Sequence, residues 1–263
     1  MPKRPHKLSL YRAAVQHPQA EVNFLARAYL HYHGELPTKL REDFAGTCAV
    51  AGAWVMMDED WRALAVESHG PTVRWAQRAQ ETELGDAAQD LHIVEADVFE
   101  LASPKVDVVC ALNFSAFIFH DRASLLRYFK HARRCLDKRG LLVIDAYGGP
   151  GAMMPGTQRR SIEGSPVEYL WEQPSYNAID ARVDCRIHFA FDDGQVMRNA
   201  FRYDWRLWTL PEIVELMREA GFAHAEVWCD QYDAKEGTSD GVYRPLEKMN
   251  EREDWVAYII GVK

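Results

Sequence analysis

The stretch Glu42-Asp43-Phe44-Ala45-Gly46-Thr47-Cys48 ends a short apolar run and opens a helical pattern. A strand-to-helix turn of this kind is where α/β sheets receive ligands. Gly46 lets backbone pass close to a bound molecule, and the start of the helix leaves N–H groups unpaired. Two further acids occupy comparable places. Glu67 ends the run Ala63-Leu64-Ala65-Val66-Glu67, and Asp97 follows Leu91-His92-Ile93-Val94. Three carboxylates at the ends of three successive strands suit a ligand built from an amino acid, a ribose and an adenine.

Outward from this stretch, residues 39–149 alternate short apolar runs with helical patterns, as a parallel sheet with crossover helices does. The pattern predicts strands over 39–44, 62–67, 91–95, 106–112 and 141–146, and helices over 47–57, 71–84 and 122–136. Asp121 is the expected N-cap of the last helix, and Gly140 is expected just beyond its end. Residues 148–156 are rich in Gly and Pro and read as a linker or mobile loop. Strand-like runs follow at 167–172, 181–191 and 196–208, with Asp192-Asp193-Gly194 as a hairpin between the last two. Thr209-Leu210-Pro211-Glu212 is a capping box opening a helix that Gly221 closes, and 222–228 and 255–262 read as two last strands around a polar stretch at 230–254. The expected organisation is a helical arm over 1–37, an α/β core over 38–150 and 209–263, and an antiparallel β cap over 151–208.

Composition narrows the function. The 263 residues are 48% apolar, enough for a sizeable core, and carry a formal charge of −8. A generally acidic surface argues against bulk nucleic-acid binding, which uses many phosphate-facing Lys and Arg. The five cysteines are scattered without C-x-x-C spacing, so neither a metal site nor a disulfide framework is expected, and the cytoplasm is the expected compartment. No apolar run approaches the roughly 18 residues needed to span a membrane. The first twenty residues are basic and acid-free, as in transit peptides, but the patterns at 8–15 and 22–30 favour helices of a mature arm.

A dinucleotide fingerprint needs three glycines around the pyrophosphate, and only Gly46 is present. The stretch resembles instead motif I of the class I S-adenosylmethionine-dependent methyltransferases, acid-x-Gly-x-Gly-x-Gly. Glu42 falls on the acid, Gly46 on the middle glycine and Thr47 on the common Thr of that loop, while Phe44 and Cys48 replace the outer glycines and suggest a somewhat different loop geometry. Asp97-Val98, Leu112-Asn113-Phe114-Ser115, Arg139-Gly140-Leu141-Leu142-Val143-Ile144-Asp145 and Trp208-Thr209-Leu210-Pro211-Glu212 extend the resemblance over roughly residues 38–262. It implies a doubly wound Rossmann-like methyltransferase sheet, mostly parallel with an antiparallel last strand, and S-adenosyl-L-methionine as cofactor. It also implies that Glu67 takes the ribose hydroxyls and that Asp97 and the Val98 amide meet the adenine. The other implied cofactor residues are Glu42, Phe44, Ala45, Gly46, Thr47, Asn113 and Phe114, with Tyr11 of the arm folding over the cofactor. Arg41 and Asp43 lie two apart on a strand and share a face; an internal ion pair is one reading, and a hold by Arg41 on the cofactor's carboxylate is the other.

The resemblance places a small-molecule acceptor beyond the fourth and fifth strands, beneath the cap. Asn113 and Tyr147 are the candidate catalytic residues, and Ser115, Tyr147, Trp171, Arg206 and Trp208 the candidate substrate contacts. Tyr147 either orients an acceptor or walls the pocket, and Asn113 either accepts from an amine or secures its loop. Rings and guanidiniums are dense in the cap, at Tyr169, Trp171, Tyr176, Arg202, Tyr203, Trp205, Arg206 and Trp208. They suit cationic, flat or carboxylate-bearing substrates, or else packing and the pairing of two chains through the cap. Arg206 and Trp208 are expected to face one pocket, and His188 to be exposed. Methyl transfer is an in-line displacement that asks for positioning and dryness, and for a base only when the acceptor keeps its proton. The alternatives are a protein or peptide methyltransferase, which requires an exposed groove, and a cofactor-binding module without catalysis.

Overall fold

The computed structural model describes residues 4–233 and 237–263, so residues 1–3 of the arm and 234–236 of the polar stretch lie outside the described residues. The arm consists of α1 (Lys7–Val15) and α2 (Pro18–His33), the second opened by Pro18 and closed by Gly34 in the left-handed conformation, its N–H on Leu30 O. The core then runs β1 (Lys39–Asp43), α3 (Ala49–Val55), β2 (Arg62–Glu67), α4 (Gly70–Leu84), β3 (Leu91–Glu95), β4 (Val106–Ala111), α5 (Arg122–Cys135) and β5 (Leu136–Gly148). A second sheet follows, β6 (Gly156–Ser161), β7 (Glu168–Asn177), β8 (Arg182–Ala190) and β9 (Val196–Arg206). The chain returns to the core through α6 (Leu210–Glu219) and β10 (His224–Cys229). After the short β11 (Tyr232–Asp233), β12 (Thr238–Ser239) and β13 (Arg244–Pro245), it ends in β14 (Trp255–Val262).

The main sheet has the order β13-β10-β14-β5-β4-β1-β2-β3. β1 to β5 are mutually parallel, and β14 is antiparallel to both neighbours, β5 and β10. Strand order reverses between β1 and β4, the place where open α/β sheets take ligands. Helices cover both faces, which is why β4 and β5 are continuous apolar runs. On one face Val109, Leu142 and Ile144 pack with Leu125, Tyr128 and Phe129 of α5 and with Leu216 of α6. On the other, Leu40, Val108, Leu141 and Val143 pack with Val22 and Leu25 of α2 and Trp54 of α3. Local signals set the helix starts: Asp121 accepts from Ser124 N, and Thr209 and Glu212 form the reciprocal capping box.

Several expectations need correction. Gly140 lies inside β5 and not at the end of α5. Val106 pairs with Leu136 but Val108 with Leu141, so residues 137–140 bulge out, and a Cβ at Gly140 would stand 2.6 Å from that of Leu136. Part of the expected linker is strand. β6 begins at Gly156 and pairs along β7, although its residues are all exposed and polar. His188 is buried and not exposed: it stays on the face opposite Ile187 and Phe189, where Glu172 and the Asn199 backbone cover it. Asn199 N donates to Nδ1, leaving Nε2–H to donate to Glu172 at 2.9 Å.

The cap's apolar face is shared between two coverings. Val183, Cys185 and Trp205 join the core on the α5 and α6 side, while Tyr169, Ile187 and Phe189 pack with Leu10 and Ala14 of α1. Its other face carries ion pairs, Arg186 with Asp184 and Arg182 with Asp204. The cap aromatics Trp171, Tyr203 and Trp205 thus form an interior stack.

Candidate functional site

The turn after β1 has left-handed backbone at Phe44 (φ 56°), Gly46 (φ 53°) and Cys48 (φ 56°). The two L-residues that stand at the outer glycine positions thus take backbone that glycine adopts most readily. Each L-residue in this conformation costs about 1–2 kcal/mol. Packing offsets it: the Phe44 ring meets Phe119 and Tyr128, and Cys48 is buried. A Cβ at Gly46 would meet only Phe44 O, at 3.9 Å, so the outer side of this turn is open. Ala45 N donates to Val66 O of β2, tying the turn to the neighbouring strand.

Glu67 closes on this turn. One carboxylate oxygen accepts from Gly46 N at 3.0 Å and the other from His69 N at 2.8 Å. Asp97 stands exposed past β3, with Oδ1 accepting from Phe99 N, and buried Val98 follows it. After β4, Asn113 and Phe114 are both left-handed, at φ 58° and 60°. Asp145 of β5 holds them there, its two oxygens accepting from Asn113 N at 2.8 Å and Phe114 N at 2.7 Å. Phe114 packs on Tyr147, whose hydroxyl lies 3.8 Å from the Cys185 sulfur of the cap; burial raises that phenol's pKa, so the hydroxyl keeps its proton. Trp171 stacks behind, 5.9 Å from Trp205. Tyr11 of α1 packs on Phe201 and reaches the Tyr203 hydroxyl.

Four expected contacts stand elsewhere. Arg41 is fully buried; Nε donates to Asp43 at 2.6 Å, and its Nη atoms donate to Val98 O at 2.7 Å and Leu101 O at 2.6 Å. It braces the β3–β4 loop from beneath and has no path to a ligand. The Ser115 hydroxyl donates back to Leu112 O. Arg206 donates to Glu212 and to His120 O, and lies over the Trp208 ring. Trp208 donates to Phe119 O. The inward positions on β9 are Tyr203 and Trp205, so Arg206 falls on the opposite side by the two-residue period of a strand.

No family model and no curated protein matches this sequence. Solved structures do. The CcbJ methyltransferase of Streptomyces caelestis superposes with a TM-score of 0.67 at 15% identity, over 94% of this chain and 97% of that one. The sugar N-methyltransferase KedS8 of Streptoalloteichus sp ATCC 53650 gives 0.66 at 20%, over 97% and 91%. The amino pentose methyltransferase CalS10 of Micromonospora echinaspora, solved with S-adenosylmethionine bound, gives 0.64 at 14%, over 97% of each chain. This is the fold of the class I S-adenosylmethionine-dependent methyltransferases.

Within the methyltransferase fold, sequence reading missed the residues that tie the site together across long separations. Gln16, between α1 and α2, accepts from the Thr47 hydroxyl at 2.5 Å, binding the arm to the turn. Gln80 of α4 donates to Thr47 O and Cys48 O, and sits where a side chain at Gly52 would be. Asp145 had one available signal, as a further acid toward the end of a core strand. A cleft of about 760 Å³ lies beyond β10 among Asp230, Asp240, Lys248, Asn250 and Arg252, and contains none of the strand-end acids.

Glu42 points into the α3 side, where it accepts from Ala51 N. Burial pushes its pKa up to about 8, and burial likewise brings Asp145 to about 7. The folded chain holds these protons more tightly than the unfolded chain. Their stabilisation is therefore complete below the ordinary carboxylate range and is lost as pH rises through about 7 to 8. Calorimetry of the ligand-free protein should show Tm falling from about pH 5 to about pH 9, with Glu42→Gln flattening the decline.

Proposed function

We propose that this chain is an S-adenosyl-L-methionine-dependent methyltransferase acting on a small-molecule acceptor. The observation that carries the reading is the linked row of strand ends, where the open turn at Gly46, Glu67 of β2 and Asp97 past β3 follow one another along a single sheet edge. These residues fit the donor: Glu67 is placed for the ribose hydroxyls, Asp97 and the Val98 amide for the adenine, and the Gly46–Thr47 turn for close backbone approach. The donor, when bound, supplies a methyl group activated on a sulfonium.

The chain's own part is placement and dryness. Asp145 fixes Asn113 and Phe114, which face the space beneath the cap. Tyr147, kept neutral by burial, orients an acceptor as a hydrogen-bond donor and does not serve as a base. α1 and the aromatic face of the cap close the site from above, which favours a small acceptor over a peptide groove. The sugar N-methyltransferase and amino pentose methyltransferase among the similar folds make an amine the first acceptor to test. The five buried free cysteines favour the cytoplasm, and no helix among the described residues is long and apolar enough to cross a membrane.

Isothermal titration with S-adenosylmethionine tests the pocket. Glu67→Ala and Asp97→Ala should each weaken binding about tenfold or more with the fold retained. Unchanged affinity in both variants rejects the pocket. Mass spectrometry of small molecules after incubation with labelled donor and cell extract then identifies the acceptor, and donor binding with no labelled product favours a non-catalytic module.

A further inference from the structure

The first turn of α2 carries a carboxylate that the protein leaves half used. Glu21 takes a hydrogen bond from the His17 backbone, yet its Oε2 is shut off from solvent with no hydrogen-bond partner. A first-turn acid gains a little from the helix dipole, but less than an unpaired buried carboxylate oxygen costs. Helix stability therefore does not explain this residue.

Its position does. The charge of Glu21 acts on Glu42 of β1, Cys110 of β4, Asp145 of β5 and Tyr11 of the arm. Glu42 and Cys110 are register partners, so these groups surround the carboxyl ends of β1 and β4 where strand order reverses. Gln16 anchors the same arm to Thr47, so Glu21 is carried at a fixed place over the turn.

With adenine at β3 and ribose at β2, the donor's amino-acid end continues to β1 and β4. We propose that Glu21 receives the ammonium group of that end, Oε2 being a buried carboxylate oxygen left without a hydrogen-bond partner. This rests on the donor-pocket reading above. The N-terminal arm then recognises the tail of the donor as well as covering it. An amine acceptor carries the same ammonium chemistry, so the test separates the two sources.

Wild type and Glu21→Gln are titrated with S-adenosylhomocysteine and with 5′-methylthioadenosine, which lacks the amino-acid tail. The proposal expects about tenfold or greater weakening for the first ligand and less than about twofold for the second. It also expects a ligand-free Tm at or above wild type near pH 8, because an unpaired buried charge is gone. Equal S-adenosylhomocysteine affinity in both proteins overturns it and leaves the ammonium to the acceptor. Equal losses for both ligands with a lower Tm overturn it in favour of a structural role. Should wild type bind neither ligand, the donor pocket itself fails, and this role falls with it.

Discussion

Arg41→Met lowers stability by about 3–5 kcal/mol, read as a fall in the urea midpoint at unchanged slope. The reason is what the guanidinium leaves behind. Asp43 keeps a carboxylate in a fully buried site, with only the Tyr128 hydroxyl still donating to it. Val98 O and Leu101 O each lose the Arg41 bond at the same time, although Leu101 O keeps its contact with His131 Nε2. The double variant Arg41→Met/Asp43→Leu should recover part of this loss, because a buried pair replaced by apolar side chains is often neutral. Recovery stays incomplete, since the Arg41 bond to Val98 O and the Tyr128 bond to Asp43 are not replaced. A full recovery would show that the loop contacts contribute nothing, and an Arg41→Met effect below about 1 kcal/mol would contradict the buried pair itself.

Asp145→Ala is expected to be the next most damaging change, at about 3 kcal/mol, because two amides lose charge-assisted partners together. The consequence is local as well as global. Asn113 and Phe114 are consecutive L-residues in left-handed backbone, which persists only where the surroundings hold it. Released, the β4 loop should relax and Phe114 should leave Tyr147. Loss of turnover should then exceed loss of donor affinity, as steady-state kinetics beside titration would show. Asp145→Asn keeps one acceptor and should lie between. If Asp145→Ala matches wild type in both stability and turnover, the carboxylate does not set this loop.

What could be read early follows from local chemistry. β2 and β3 begin and end where the sequence pattern placed them, because each is a short apolar run bounded by turn residues. The helix caps Asp121 and Thr209 act within four residues of themselves, so spacing alone exposes them. β6 gave no signal: its six exposed residues are strand only because β7 supplies hydrogen-bond partners. α3 starts later than expected because Cys48 must turn left-handed before the helix begins.

The same division runs through the site. Alternation along β1 already separates Arg41 and Asp43 from Glu42, but not which face meets α5 and which meets α2 and α3. That depends on which helices the chain lays on each face, and it decides between the two readings of Arg41 in favour of the internal ion pair with Asp43. Gln16, Gln80 and Asp145 bond groups 31 to 33 residues away in sequence, as in Thr47–Gln16 and Asn113–Asp145, and the charge of Glu21 reaches Asp145, 124 residues on. Periodicity and turn chemistry register only near neighbours, so they delivered the α/β order, the strand-end acids and the caps. Partnership across the fold exists only once the sheet is assembled, and it settled which polar side chains are satisfied and which buried atoms, Glu21 Oε2 among them, lack a hydrogen-bond partner.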